Sequence, residues 1–194
     1  QELYEKKLVT YPRTDARVLS TAVAKVIDKN ITGLRNIPEY KEFVEEILAA
    51  KSYEGIAKTR YVNDKQITDH YAIVPTGQGF NNLKNLSATS KAVYYAIVRR
   101  FLSIFYPAAV YKKISIALRR DTESFFASFK VLEKEGYLKV VNSFRKSKAD
   151  GEETEEEKYD GAFLDKLKGL KKGSILDVSG FNVKEGETSP PKRY

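Results

Sequence analysis

The sequence has no cysteine, no methionine, one histidine and no apolar run approaching the ~20 residues of a membrane span. Without cysteine there are no disulfides and no thiolate metal sites, and the absence fits a reducing compartment. The single histidine, His70, has no second His or Cys to join it, so no zinc-type ligand set is expected. No Gly-rich loop followed by Lys-Ser or Lys-Thr is available to cradle a nucleotide phosphate. No signal-peptide pattern opens the chain. These absences read as a soluble cytoplasmic protein without a membrane partner, and the missing initiator Met reads as a piece of a longer polypeptide.

What is present is enough for a folded core. The 194 residues are 42% hydrophobic, room for one large domain or two small ones. The 34 basic residues outnumber the 26 acidic ones, giving a net charge of +8. That balance suits a polyanionic partner, although many basic proteins bind nothing acidic.

Hydrophobic spacing divides the chain into a helical first part, 1–109, and a β-rich second part, 110–194, an α+β organisation. Gln1 to Lys7 reads as the last turns of a helix. Val18, Leu19, Ala22, Val23, Val26 and Ile27 have the spacing of an amphipathic helix that starts near Ala16, is capped by Thr14 or Asp15, and stops near Asn30 or Gly33. Pro38 opens another through Leu48. The strongest pattern runs from Ala88 to Phe105, with Val93, Tyr94, Ile97, Val98, Phe101, Leu102 and Phe105 on one stripe. Arg99 and Arg100 lie off it and are either phosphate contacts or a solvated face. Phe105, Tyr106 and Tyr111 are either base-stacking or packing residues. Beyond Val110 the period becomes two: Ile114, Ile116 and Leu118, a turn at Arg120 to Thr122, then Phe125, Ala127, Phe129 and Val131 predict a hairpin. Further strands are expected at Tyr137 to Val141, Ile175 to Val178 and Phe181 to Val183. The acidic run between Lys146 and Lys158 reads as a solvated loop without metal.

Two stretches carry chemistry. Leu8-Val9-Thr10 suits a short strand, and Pro12 biases Tyr11 away from the helical region, so the phenol stands at a sharp exit with Arg13, Thr14 and Asp15 beside it. Arg13 and a following helix N-terminus would favour an anion there. A Tyr-Pro pair is equally an ordinary turn with an aromatic plug. The second stretch, Asp69-His70-Tyr71-Ala72-Ile73-Val74-Pro75-Thr76, holds the only histidine, which taken alone is a structural or surface residue.

Together these stretches resemble the two active-site signatures of the type IA DNA topoisomerases. Tyr11-Pro12-Arg13-Thr14-Asp15 matches the first and Asp69-His70-(any)-Ala72-Ile73-(any)-Pro75-Thr76 the second. The resemblance spans nearly the whole chain and is strongest to the topoisomerase III branch, where the residue after the histidine is usually another histidine; here it is Tyr71. It implies part of that family's toroid: a helical catalytic-tyrosine domain, then part of an antiparallel β-rich domain. Tyr11 would attack single-stranded DNA to form a 5'-phosphotyrosine, helped by Arg13 and His70, with Thr14, Asp15 and Arg17 contacting DNA. Ionising a phenol at pH 7 costs ~4 kcal/mol, which neighbouring positive charge lowers. The resemblance also implies no ATP, Mg²⁺ held elsewhere by an acidic Toprim domain, and action as a monomer on the nucleoid. No Asp-(any)-Asp cluster replaces that domain here. A non-catalytic basic module that binds single-stranded nucleic acid is the alternative reading.

Overall fold

The computed structural model describes residues 1–142, 166–180, 182–183, 185–188 and 190. The chain divides into two compact units, Gln1–Glu152 and Glu153–Tyr194. In the first unit helices precede a single antiparallel hairpin, so the α+β expectation holds. The helices are α1 (Glu2–Glu5), α2 (Thr21–Ala24), α3 (Ile27–Leu34), α4 (Lys41–Ala50) and α5 (Ala88–Ser103).

Their apolar faces share one core. Ile27, Ile31 and Leu34 of α3 bury at helical spacing, as do Phe43, Val44 and Ile47 of α4 and Tyr94, Val98, Phe101 and Leu102 of α5. Each such aliphatic contributes ~1.5–3 kcal/mol when removed from water. Pro38 opens a 3₁₀ turn that leads into α4, where its missing N–H costs nothing. Ser87 caps α5, its hydroxyl accepting from the Ser90 N–H at 3.1 Å. The stripe on α5 is narrower than its sequence suggests, because Val93 is exposed and Ile97 only half-buried. Phe105 is buried, and the Tyr106 hydroxyl donates to Glu46 at 2.7 Å, so both are packing residues.

The helix expected from Ala16 does not start there. Residues 11–20 are extended or irregular, and the N-cap is Ser20, which accepts from the Val23 N–H at 3.2 Å. Leu19 is committed to a parallel bridge with Val62 and so is withheld from a helix. A break at Lys25 and Val26 then separates α2 from α3, leaving Val26 44% exposed. Thr14 and Asp15 therefore cap no helix.

The predicted hairpin forms as β1 (Val110–Arg120) and β2 (Glu123–Lys134), joined through Asp121 at φ 53° and Thr122. Ile114 pairs with Phe129, Ile116 with Ala127 and Leu118 with Phe125, so the alternating apolar residues share one face. Only Phe129 on that face is buried; Leu118 and Phe125 are exposed.

After the hairpin the expected strand at Tyr137 to Val141 is instead helix α6 (Leu138–Asn142). Gly136, at φ 50°, turns the chain back, and a Cβ there would collide with the Pro107 carbonyl oxygen. The turn buries Val140 completely in the helical core, and Lys139 pairs with Glu46 and with Glu42. Burial against helices decides the conformation where the β-branched Val140-Val141 pair points to a strand. In the second unit Ile175 to Val178 is also not a strand; Ile175 is 93% exposed, and a strand needs a neighbour for its backbone groups. The acidic run lies outside the described residues, as does Phe181.

Candidate active site

The two sequence stretches singled out above lie side by side. Thr10 donates its N–H to the Val74 carbonyl at 3.0 Å, and the Thr10 hydroxyl accepts from the Val74 N–H at 3.0 Å. Val9 and Pro75 form an antiparallel bridge, and the Thr76 N–H reaches the Leu8 carbonyl at 3.0 Å. Further along, the Ala72 N–H donates to the Val18 carbonyl at 2.9 Å. The two stretches are thus paired from Leu8 to Thr10 against Thr76 to Val74, and joined again only at Val18 and Ala72, as isolated backbone bonds rather than a regular strand.

The second stretch is in turn fixed to α3. Asn30 donates its side-chain amide to the Pro75 carbonyl at 2.8 Å. Gly33 meets Gly77 so closely that a Cβ on Gly33 would collide with the Gly77 carbonyl oxygen. Only two glycines allow this approach. The helix behind the site is therefore α3, which supports the His70 side, and not a helix starting beside Arg13.

This pairing brings Tyr11 and His70 ring to ring, with centroids 4.5 Å apart and planes tilted by 48°. Tyr11 is half-buried and His70 exposed, so the phenol stands at the protein surface beside an accessible imidazole. From Arg13 to Val18 the chain alternates. Thr14 and Ala16 are half-buried and Val18 buried, whereas Arg13, Asp15 and Arg17 are exposed. None of those three exposed groups has a hydrogen bond or ion pair among the described residues. The half-buried Thr14 uses its hydroxyl in two bonds within the chain: it donates to the His70 carbonyl at 2.7 Å and accepts from the Ala16 N–H at 3.0 Å.

Sequence reasoning missed one neighbour. The Tyr4 ring meets Tyr11 edge to face, with centroids 5.2 Å apart. The only signal was the basic end of the first helix at Lys6-Lys7, where Lys7 at φ 60° reverses the chain. Among the described residues no three His, Asp or Glu side chains converge, so nothing in them fits a Mg²⁺ ion. No helix among them is long and apolar enough to cross a membrane.

A family profile described as DNA topoisomerase matches residues 1–194. The chain belongs to the type IA DNA topoisomerase family. It is similar to the DNA topoisomerase 3 of Bacillus subtilis (strain 168), with 33% identity over 197 residues covering 100% of this chain and 25% of that protein. The DNA topoisomerase 3 of Bacillus licheniformis is 35% identical over 196 residues and that of a Bacillus cereus strain 29% identical over 196, with the same coverage. The chain thus spans about a quarter of the length of the topoisomerases it matches.

Proposed function

We propose that this chain supplies the nucleophile half of a site that breaks and rejoins single-stranded DNA for strand passage. The observation that carries the reading is the ring contact between Tyr11 and His70, made across two sequence stretches that hydrogen bonds hold side by side. The Tyr11 oxygen attacks a backbone phosphorus, the bond from phosphorus to the 3'-oxygen of the neighbouring nucleotide breaks, and a 5'-phosphotyrosine remains. The released 3'-hydroxyl reverses the step, so the phosphodiester energy is conserved and no ATP is consumed. His70 and Arg13 act on the phosphate: a guanidinium in a charge-assisted bond stabilises the negative charge that grows on its oxygens.

Arg13 and Arg17, exposed on the outward side of an extended stretch, suit successive phosphates, and Asp15 between them suits a base amino group. Mg²⁺ would add charge stabilisation at the phosphate from ligands on another part of the polypeptide. The quarter-length match to the topoisomerases supports action together with further parts of a longer polypeptide, among which the family resemblance implies a Toprim domain.

The test is covalent trapping. The full-length polypeptide containing this chain, denatured during reaction with a labelled single-stranded oligonucleotide, should give a protein-linked band. Tyr11→Phe keeps the ring and should abolish that band while changing oligonucleotide affinity little. Retention of the band by Tyr11→Phe would leave the chain a basic nucleic-acid-binding module, not the carrier of the nucleophile.

A further inference from the structure

Tyr11 touches a second aromatic ring, on an element outside both signature stretches. Tyr4 lies on α1, and its ring meets Tyr11 at an interplanar angle of 82°, with centroids 5.2 Å apart. The Tyr4 residue is 42% exposed, so burial in the core does not explain where its ring stands. The local backbone does. The Lys7 N–H bonds the Tyr4 carbonyl at 2.8 Å and the Leu8 N–H bonds the Leu3 carbonyl at 2.9 Å, closing a reversal that folds the Tyr11 stretch back over α1. Lys7 adopts φ 60° to make it, a conformation that L side chains rarely take.

That short helix is itself anchored. Leu3 is buried in the core, and the Glu2 carboxylate accepts from the Lys6 ammonium at 2.8 Å and from the Ser90 hydroxyl at the start of α5. Lys6 also reaches the Asn85 carbonyl at 3.1 Å. With His70 against the Tyr11 ring as well, the phenol has two ring neighbours, and turning it about its side-chain bonds would break one contact or both.

We propose that Tyr4 is a positioning residue for Tyr11, its ring holding the phenol in the orientation from which the oxygen attacks. The inference rests on Tyr11 being the nucleophile. Edge-to-face pairs have a preferred geometry set by the ring quadrupoles, and their strength corresponds to about 2- to 10-fold in the population of one orientation. The ring is what matters, and the Tyr4 hydroxyl is dispensable.

The test uses the full-length polypeptide carrying this chain, with a single-stranded oligonucleotide at saturating concentration. The rate of covalent adduct formation in a single turnover is measured separately from affinity by fluorescence anisotropy. Tyr4→Ala should slow adduct formation about 2- to 10-fold with affinity nearly unchanged, and Tyr4→Phe should restore the wild-type rate. Tyr4→Leu keeps bulk without the quadrupole; it should melt like wild type and repeat the loss. An unchanged rate in Tyr4→Ala would overturn the proposal, as would loss of affinity alone, which would make Tyr4 a base contact, or a Tyr4→Phe variant as slow as Tyr4→Ala. Tyr11→Phe runs in the same assay. Adduct formation by Tyr11→Phe would sink the nucleophile reading itself, whereas its abolition beside an indifferent Tyr4→Ala would sink only the role of Tyr4.

Discussion

The Thr14 hydroxyl bonds the His70 carbonyl and the Ala16 N–H, so one oxygen ties the Tyr11 turn to the histidine it faces. These two bonds give a Thr at this place in the first signature an architectural task. Thr14→Val keeps the shape and removes both bonds. A neutral hydrogen bond contributes ~0.5–1.5 kcal/mol, and a buried donor left without a partner costs ~1–3 kcal/mol. Because Ala16 is half-buried, the expected destabilisation is about 1–2 kcal/mol by urea unfolding. Adduct formation should fall as well, since His70 loses its tether to the turn. Unchanged unfolding would show that neither bond matters. Arg13 differs in kind: it is exposed with no partner among the described residues, as suits a group kept for a phosphate.

At the scale of elements, α6 is the clasp that follows the hairpin. Val140 is fully buried, and Lys139 bonds Glu46 on α4, which also accepts from the Tyr106 hydroxyl at 2.7 Å. The Lys139 ammonium, and after it the Tyr106 hydroxyl, hold the Glu46 carboxyl below the ordinary carboxylate range. A depressed carboxyl contributes stability that is present above its unfolded pKa of ~4.3 and is lost as the pH falls through the folded value. The Glu46 side chain is 39% exposed, so the pair is worth at most about 1 kcal/mol. Glu46→Gln should therefore lower the melting temperature at pH 7, and the gap to wild type should narrow below about pH 4. A gap independent of pH would assign the effect to packing. The hairpin contrasts with this clasp, since its apolar face is left exposed toward the turn, at Leu118 and Phe125.

Across the whole molecule, legibility followed how local each determinant is. Helices α4 and α5 and the hairpin could be read because a period of 3.6 or 2 is written within a few positions. The stretch from Ala16 to Ser20 was misread as helix because Val18, Leu19, Ala22 and Val23 also satisfy a helical spacing. Its true conformation is decided by partners at Tyr61, Val62 and Ala72. Likewise Val140-Val141 points to a strand until the helical core claims Val140. Of the site, Tyr11 and His70 were legible as residue types in signatures, and the structure adds their contact. Tyr4 was not legible, because its approach depends on a left-handed residue at Lys7.

The central claim is that one of the 13 tyrosines carries the DNA, and digestion can say which. Trypsin cuts after Lys7 and Arg13, releasing Leu8-Val9-Thr10-Tyr11-Pro12-Arg13 with Tyr11 as its only tyrosine. After trapping the full-length polypeptide on a single-stranded oligonucleotide and trimming the DNA with nuclease, mass spectrometry should find the nucleotide mass on that peptide, joined through a 5'-phosphate. An adduct on any other tyrosine, or a 3'-phosphate linkage on this one, would contradict the account.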